Sequence, residues 1–208
     1  MSHFDSAIVA EERRHQLMTK AERQRLARGL RASGSGAEDV HLRVLEPQDA
    51  DHIASLFERL SPRSRYLRFF SPVAKVPEAT LRRLASIDHL EHEAVGAFEG
   101  ATLIGAAHSF RSPTDRSVAD IAIEVVDSHQ RDGIGAWLLH ELAARGRQNG
   151  ITHFVASTLA ENTAALALLR ESPWPSVIHT DGPEVTIDLR LTGAAASAGD
   201  PADKAIAG

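Results

Sequence analysis

The chain of 208 residues contains no cysteine. Disulfides, thiolate metal sites and a cysteine nucleophile are therefore excluded, and the reading that fits is a cytoplasmic protein. A basic excess is missing too: 28 acidic residues stand against 23 Lys and Arg, for a net charge of −5. A general nucleic-acid binder would show the opposite balance. No stretch approaches the roughly 20 apolar residues of a membrane span, and the charged N-terminal region holds no apolar run of signal-peptide length. Only one tyrosine is present, so Tyr66 is the sole phenol available to any chemistry. What remains is 43% hydrophobic and 25% charged, enough for one ordinary domain with some tail.

Residues 1–36 read as an arm. Arg, Glu, Gln and Ala dominate from Glu11 to Arg31 and favour helix, but the apolar stripe of Leu17, Ala21, Leu26 and Leu30 is patchy. This is a solvated helical arm or a partner-binding one, followed by the flexible Ser33-Gly34-Ser35-Gly36. Residues 192–208 are small, Ala/Gly-rich and aperiodic, which predicts a disordered tail. Residues 37–191 form the domain. Period-2 and helical spacings give the order β, α, α, β, β, β, α, β, α, β, β, with the second helical region broken at Pro72. Antiparallel strands followed by a β-α-β crossover predict an α/β fold: a mixed, mostly antiparallel central sheet with helices on both faces.

Gln130-Arg131-Asp132-Gly133-Ile134-Gly135 lies between an apolar strand (Val118 to Val126) and a helix carrying Trp137, Leu138, Leu139 and Leu142. A strand that turns through glycine into a helix start gathers free backbone N–H groups at a positive helix end, a seat for phosphate. The same pattern also serves as a plain strand–helix connection that binds nothing. In the strand, Asp120 and Glu124 share one face with Ala122 and Val126, opposite Ala119, Ile121, Ile123 and Val125. Four residues apart, the two carboxylates sit roughly 13 Å from each other and do not serve one proton together.

The loop, with this element order, resembles the GNAT superfamily of acyl-CoA-dependent N-acyltransferases, whose pyrophosphate loop reads Gln/Arg-x-x-Gly-x-Gly/Ala. The resemblance spans about three quarters of the chain. Glu161-Asn162-Thr163-Ala164-Ala165 is similar to the family's second signature, and Ser61 to Phe70 is similar to a segment of its bacterial protein-lysine acetyltransferase branch. The resemblance implies a splay between the fourth and fifth strands and acetyl-CoA as acyl donor, with no metal. It implies pyrophosphate contacts from Gln130, Arg131, Asp132, Gly133, Ile134, Gly135 and Ala136. Pantetheine contacts would come from Val125, Val126 and Asn162, with backbone near Glu124. The partners implied are acetyl-CoA and an amine acceptor, a protein lysine or a small molecule, on a monomer or homodimer with no nucleic acid and no membrane.

A lysine-like amine has a pKa of about 10.4, so a base must help deliver its neutral form. Asp120 is the first candidate. It stands where the family's Ala-Glu-x-Ala pattern has glutamate, here Ala119-Asp120-Ile121-Ala122, and is one methylene shorter. Glu124 is the second, and either carboxylate also reads as a solvated or ion-paired strand residue. The family's tyrosine, seven residues after the asparagine, is Leu169 here. Tyr66 reads as a substrate contact or as part of the Leu67/Phe69/Phe70 cluster with its hydroxyl at the surface. His89-Leu90-Glu91-His92-Glu93 lacks the His-Glu-x-x-His spacing of a metal site and reads as a surface loop. Arg63, Arg65 and Arg68 read as a solvated face or as a holder of an acidic acceptor or the CoA 3′-phosphate. A CoA-dependent enzyme and a degenerate module that binds acyl-CoA without turnover both fit these residues.

Overall fold

The computed structural model describes residues 40–191, so the expected arm and tail lie outside the described residues. The strands are β1 (Val40–Val44), β2 (His92–Glu99), β3 (Thr102–Arg111), β4 (Val118–Val125), β5 (His153–Leu159), β6 (Ser176–Asp181) and β7 (Glu184–Arg190). The α-helices are α1 (Ala50–Arg59), α2 (Pro62–Phe69), α3 (Glu78–Ala85), α4 (Ile134–Gln148) and α5 (Thr163–Arg170). Seven strands form one sheet in the order β1-β2-β3-β4-β5-β7-β6, mixed and mostly antiparallel as expected. Every pairing is antiparallel except β4 with β5, the pair joined through α4.

Helices cover both faces, which is why β2 is buried along nearly its whole length. Residues paired across an antiparallel ladder share a face. Glu124 pairs Ala106, Ala122 pairs His108, and His108 pairs Ala94. These therefore belong to one face, where Arg68 of α2 reaches Glu124. The opposite face receives α4: a Cβ on Gly105 would lie 3.2 Å from Leu138, and Arg145 pairs with Glu93 at 2.7 Å. Helix α4 buries Ile134, Trp137, Leu138, Leu139, Leu142 and Ala143. Helix α1 buries Ile53, Leu56 and Phe57 at helical spacing.

The pairing of β4 with β5 has only three rungs: Val118 with His153, Ala119 with Phe154, and Asp120 with Val155. Beyond Asp120 the strands part. β4 stays on β3 as far as Val125, and β5 stays on β7 as far as Leu159. This is the expected splay, with Asp120 at its apex.

One expectation is corrected. His92 and Glu93 belong to β2 and are 4% exposed each, not part of a surface loop. Arg145 of α4 covers Glu93, and His92 packs against His108 and Phe110 on the other face, a tertiary effect that local polarity conceals. His89 is the hinge of this corner. Its Nδ1 lies 2.9 Å from Glu93 and its Nε2 lies 3.1 Å from Glu46. The hydrogen bond to Glu93, against the opposing effect of burial and with added help from Glu46, raises His89 above the ordinary imidazole range.

Two outcomes are expected in denaturation experiments. A Cβ at position 96 would lie 2.6 Å from Leu103, 2.7 Å from Leu45 and 2.8 Å from Phe98, so Gly96→Ala should cost about 1–3 kcal/mol by overpacking. For His89, a raised folded-state pKa means its contribution is complete below the ordinary histidine pKa and lost as pH rises through the raised value. The stability gap between wild type and His89→Gln should therefore be widest in mild acid and close in alkali, and a gap that widens with pH contradicts the assignment.

Candidate active site

The splay exposes the edge of β4. The Val126 N–H donates to the Ile104 carbonyl at 2.9 Å. Ladder alternation then turns the N–H groups of Ile123 and Val125 away from β3, toward the space β5 has left. Val126 is fully committed, because its carbonyl accepts from the His129 amide at 2.9 Å. The Val125 carbonyl accepts from Gln130 Nε2 at 3.0 Å, which ties the loop back to its strand. Of the two valines expected to hold pantetheine, Val125 alone has a backbone donor without an acceptor among the described residues.

The loop delivers the helix start that the glycines foreshadow. Gly133 is the N-cap of α4 at φ 84°, with no side chain capping it, and Arg131 also takes positive φ at 69°. A non-glycine residue held left-handed stores roughly 1–2 kcal/mol of strain, a cost that clusters at ligand clamps. Among the described residues no acceptor takes the amides of Arg131 through Ala136. These amides at the positive end of a 15-residue helix suit a pyrophosphate. The Arg131 and Asp132 side chains are exposed. Gly135 has a different reason to be glycine: a Cβ there would lie 3.3 Å from Leu168 of α5, so its bareness lets two helices approach. Asn162 caps α5, accepting from the Ala165 amide at 3.2 Å.

Helix α2 spans the splay and is latched on both sides. On the β4 side, Asp127 accepts from the Ser61 amide (2.9 Å), the Ser61 hydroxyl (2.7 Å) and the Ser64 hydroxyl (2.8 Å). Burial works against the charge on Asp127, but these donors hold it below the ordinary carboxylate range. On the β5 side, Arg63 meets Glu161 at 2.9 Å. The Glu161 carboxylate beside it also raises the Tyr66 phenol above its ordinary pKa. Tyr66 lies beside this pair, with the Arg63 guanidinium 5.3 Å from its ring centroid. The run of arginines is dispersed, each to its own task. Arg65 donates to the Leu60 and Val73 carbonyls at 3.0 and 3.1 Å, while Arg63 and Arg68 pair with different acids.

The two candidate bases differ sharply. Asp120 is exposed at the apex. The Glu124 side chain is 2% exposed, with Oε2 3.1 Å from Arg68 Nε and Oε1 3.2 Å from His108 Nε2. Burial pushes the Glu124 carboxyl up, but Arg68 and then His108 outweigh it and hold it below the ordinary range. Glu124 is thus the ion-paired strand residue of the sequence alternatives. Beyond it stand two histidines whose partners sequence did not identify. His108 Nδ1 lies 3.0 Å from His92 Nε2, and His92 Nδ1 lies 3.0 Å from the Ser86 carbonyl. A histidine inside a strand buried on both faces was the available signal. Leu169, at the tyrosine position, is a core residue 4% exposed.

The sequence model of the acetyltransferase (GNAT) family matches residues 56–172. Acetyltransferase Pat of Mycolicibacterium smegmatis is 30% identical over 129 residues, which are 61% of this chain and 38% of that protein. This chain thus matches well under half the length of that relative. Acetyltransferase PA5475 of Pseudomonas aeruginosa is 25% identical over 128 residues, 60% of this chain and 69% of that protein. The GNAT domain of S. lividans PAT superimposes with a TM-score of 0.68 at 23% identity, covering 73% of this chain and 90% of that one. The structure of yncA from Salmonella typhimurium with its cofactor acetyl-CoA gives 0.59 at 18% identity, covering 78% and 98%. At these identities the two structures speak for the fold.

Removing Arg68 leaves Glu124 buried and uncompensated. Arg68→Ala should cost about 3 kcal/mol at neutral pH, the low end for breaking a buried pair because the arginine is partly exposed. The lowered carboxyl pKa gives stability present above the ordinary glutamate range and lost as pH falls through the folded-state value. The penalty should therefore shrink in acid; urea titrations from neutral to acidic pH that show a constant gap would contradict it.

Proposed function

The chain belongs to the acetyltransferase (GNAT) family, and from that premise we propose that it moves an acetyl group from acetyl-CoA to a primary amine by direct attack in a ternary complex. The observation that carries the reading is the conjunction of a parted β4–β5 pair with the uncapped start of α4. One feature offers free strand-edge donors and the other offers a phosphate seat, and both open from the same strand. Acetyl-CoA, when bound, supplies the activated acyl group. The amides of Arg131 to Ala136 bind the pyrophosphate, and the Val125 N–H faces the thioester arm, where a donor stabilises developing oxyanion charge.

Asp120 is the proposed base, because it is the exposed carboxylate at the apex. It takes the proton of the ammonium directly or through one water. Glu124 is a poorer candidate, because it is buried and one of its oxygens is already taken by Arg68 at 3.1 Å. A chain without cysteine offers no thiol to carry the acyl group, which favours direct attack. We take a protein lysine as the preferred acceptor, since Ser61 to Phe70 resembles the lysine-acetylating branch. The described residues contain no helix long and apolar enough to cross a membrane.

A thiol-release assay with acetyl-CoA, run against lysine peptides and small amines, tests the activity. Acceptor-dependent CoA release is expected, whereas tight acetyl-CoA binding with no release for any amine would make the chain a binding module. Asp120→Asn should leave acetyl-CoA affinity within about twofold and lower kcat about 10²-fold or more, the usual range for a general base. An unchanged rate across pH removes Asp120 from the chemistry.

A further inference from the structure

Four side chains on three strands and one helix form a line beneath the open end of the splay: His92 of β2, His108 of β3, Glu124 of β4 and Arg68 of α2. Its ends are well defined. The Ser86 carbonyl only accepts, so His92 Nδ1, 3.0 Å away, carries a hydrogen. One further hydrogen fits between His92 Nε2 and His108 Nδ1, which are 3.0 Å apart. Burial first, and the neighbouring His108 second, push His92 down to about 4, so His92 is neutral at physiological pH and its Nε2 is bare. That hydrogen therefore sits on His108 Nδ1.

The constraint then passes to the far side of the His108 ring. His108 Nε2 and Glu124 Oε1 are 3.2 Å apart with side chains 0% and 2% exposed. The contact misses aligned hydrogen-bond geometry, and both atoms are buried with no other partner among the described residues. A bare Nε2 would oppose lone pair to lone pair in a dry site, the costliest arrangement available to two polar atoms. A proton between them removes the conflict, whether written as imidazolium on carboxylate or as carboxylic acid on imidazole. The charges around the line are Arg68 from α2, Arg83 from α3 over the Phe110 ring, and Asp88 and Glu93 near His92. Asp120 is a further carboxylate on the same strand face.

We propose that His108 and Glu124 hold one shared proton at neutral pH, and that His92 and His108 act through it as positioning residues, seating Glu124 against Arg68 where β4 leaves β5. The string deepens the acetyl-transfer reading, because Glu124 lies between Ile123 and Val125, whose amides line the opening. If the glutamate swings away, Arg68 loses its anchor and the β4 edge loses the contact holding α2 over it. The histidines touch neither substrate in this arrangement. Their effect runs through the geometry of the residue between the two donors.

Ring ¹⁵N spectra of the full-length chain, with histidines assigned by single His→Gln variants, test the proton directly. At neutral pH, His92 should be protonated on Nδ1 alone and His108 on both nitrogens, and Glu124→Gln should shift His108 Nε2 to the bare-nitrogen range. A His108 Nε2 already bare from about pH 6 to about pH 8, or unmoved by Glu124→Gln, overturns the shared proton. For the positioning role, His108→Gln keeps a donor toward Glu124 but removes the titrating proton. It should bind acetyl-CoA like wild type, lower kcat in the thiol-release assay and flatten the pH dependence of kcat. Wild-type kcat and pH profile in that variant would overturn it. The spectra report on the proton even if no acceptor is found, so failure of the acetyl-transfer reading and failure of this one are separable.

Discussion

The parting of β4 from β5 after three rungs is the constraint on which the remaining features depend. A parallel pair inside a sheet covered on both faces would ordinarily keep its ladder, since buried backbone groups left without partners are costly. Here each strand keeps its outer neighbour, β3 or β7, and gives up the inner one. The unsatisfied edge is tolerated because it opens to a cleft. Helix α2 bridges that cleft, held to the loop after β4 by Asp127 and to the start of α5 by Glu161. The latches on the two arms use two serines and an arginine from a single eight-residue helix and its N-cap.

A second consequence concerns charge. Once β4 leaves β5, the helix-facing side of its open segment must be closed by something other than a neighbouring strand's side chains. Arg68 does this, and its cation obliges a buried anion beneath it. Glu124 in turn obliges a donor on its other oxygen, which leads inward to His108 and His92. Each polar group is the least costly answer to the previous one, because a buried ion left single is worse than a buried network. The string ends at Ser86, a backbone carbonyl, which needs nothing further.

Sequence made the local features legible and hid the assembled ones. Gln130 to Gly135 was readable because its meaning is contained in one turn: the glycine at 133 takes φ 84°, and the helix begins immediately after. The order of elements along the chain followed from periodicity, and the splay came with the family resemblance. The Glu124 network was not legible, since its members come from elements 16 or more residues apart and meet only through register. His92 and Glu93 looked like loop residues because polarity was judged locally, while burial came from α4 over Glu93 and from His108 and Phe110 beside His92. Gly135 was assigned to phosphate approach, whereas the side chain nearest to it belongs to Leu168.

The replacement of tyrosine by Leu169 bears on the choice between an enzyme and a silent module, and acidity decides how much. A lysine-like amine has a pKa of about 10.4, and a thiol like that of CoA about 8.5. Near pH 7.4, stripping the amine costs about 4 kcal/mol, while leaving the thiolate unprotonated costs about 1.5 kcal/mol. The base is thus worth more than twice the acid, and solvent reaching an open cleft covers the smaller deficit. Leu169, 4% exposed, is spent on packing α5 into the core. A family member can surrender its acid to the core and remain a catalyst, provided a carboxylate stays exposed on β4. Asp120 meets that condition, so the departure at position 169 weighs less against turnover than the departure at position 120 would have done had it been to an uncharged residue.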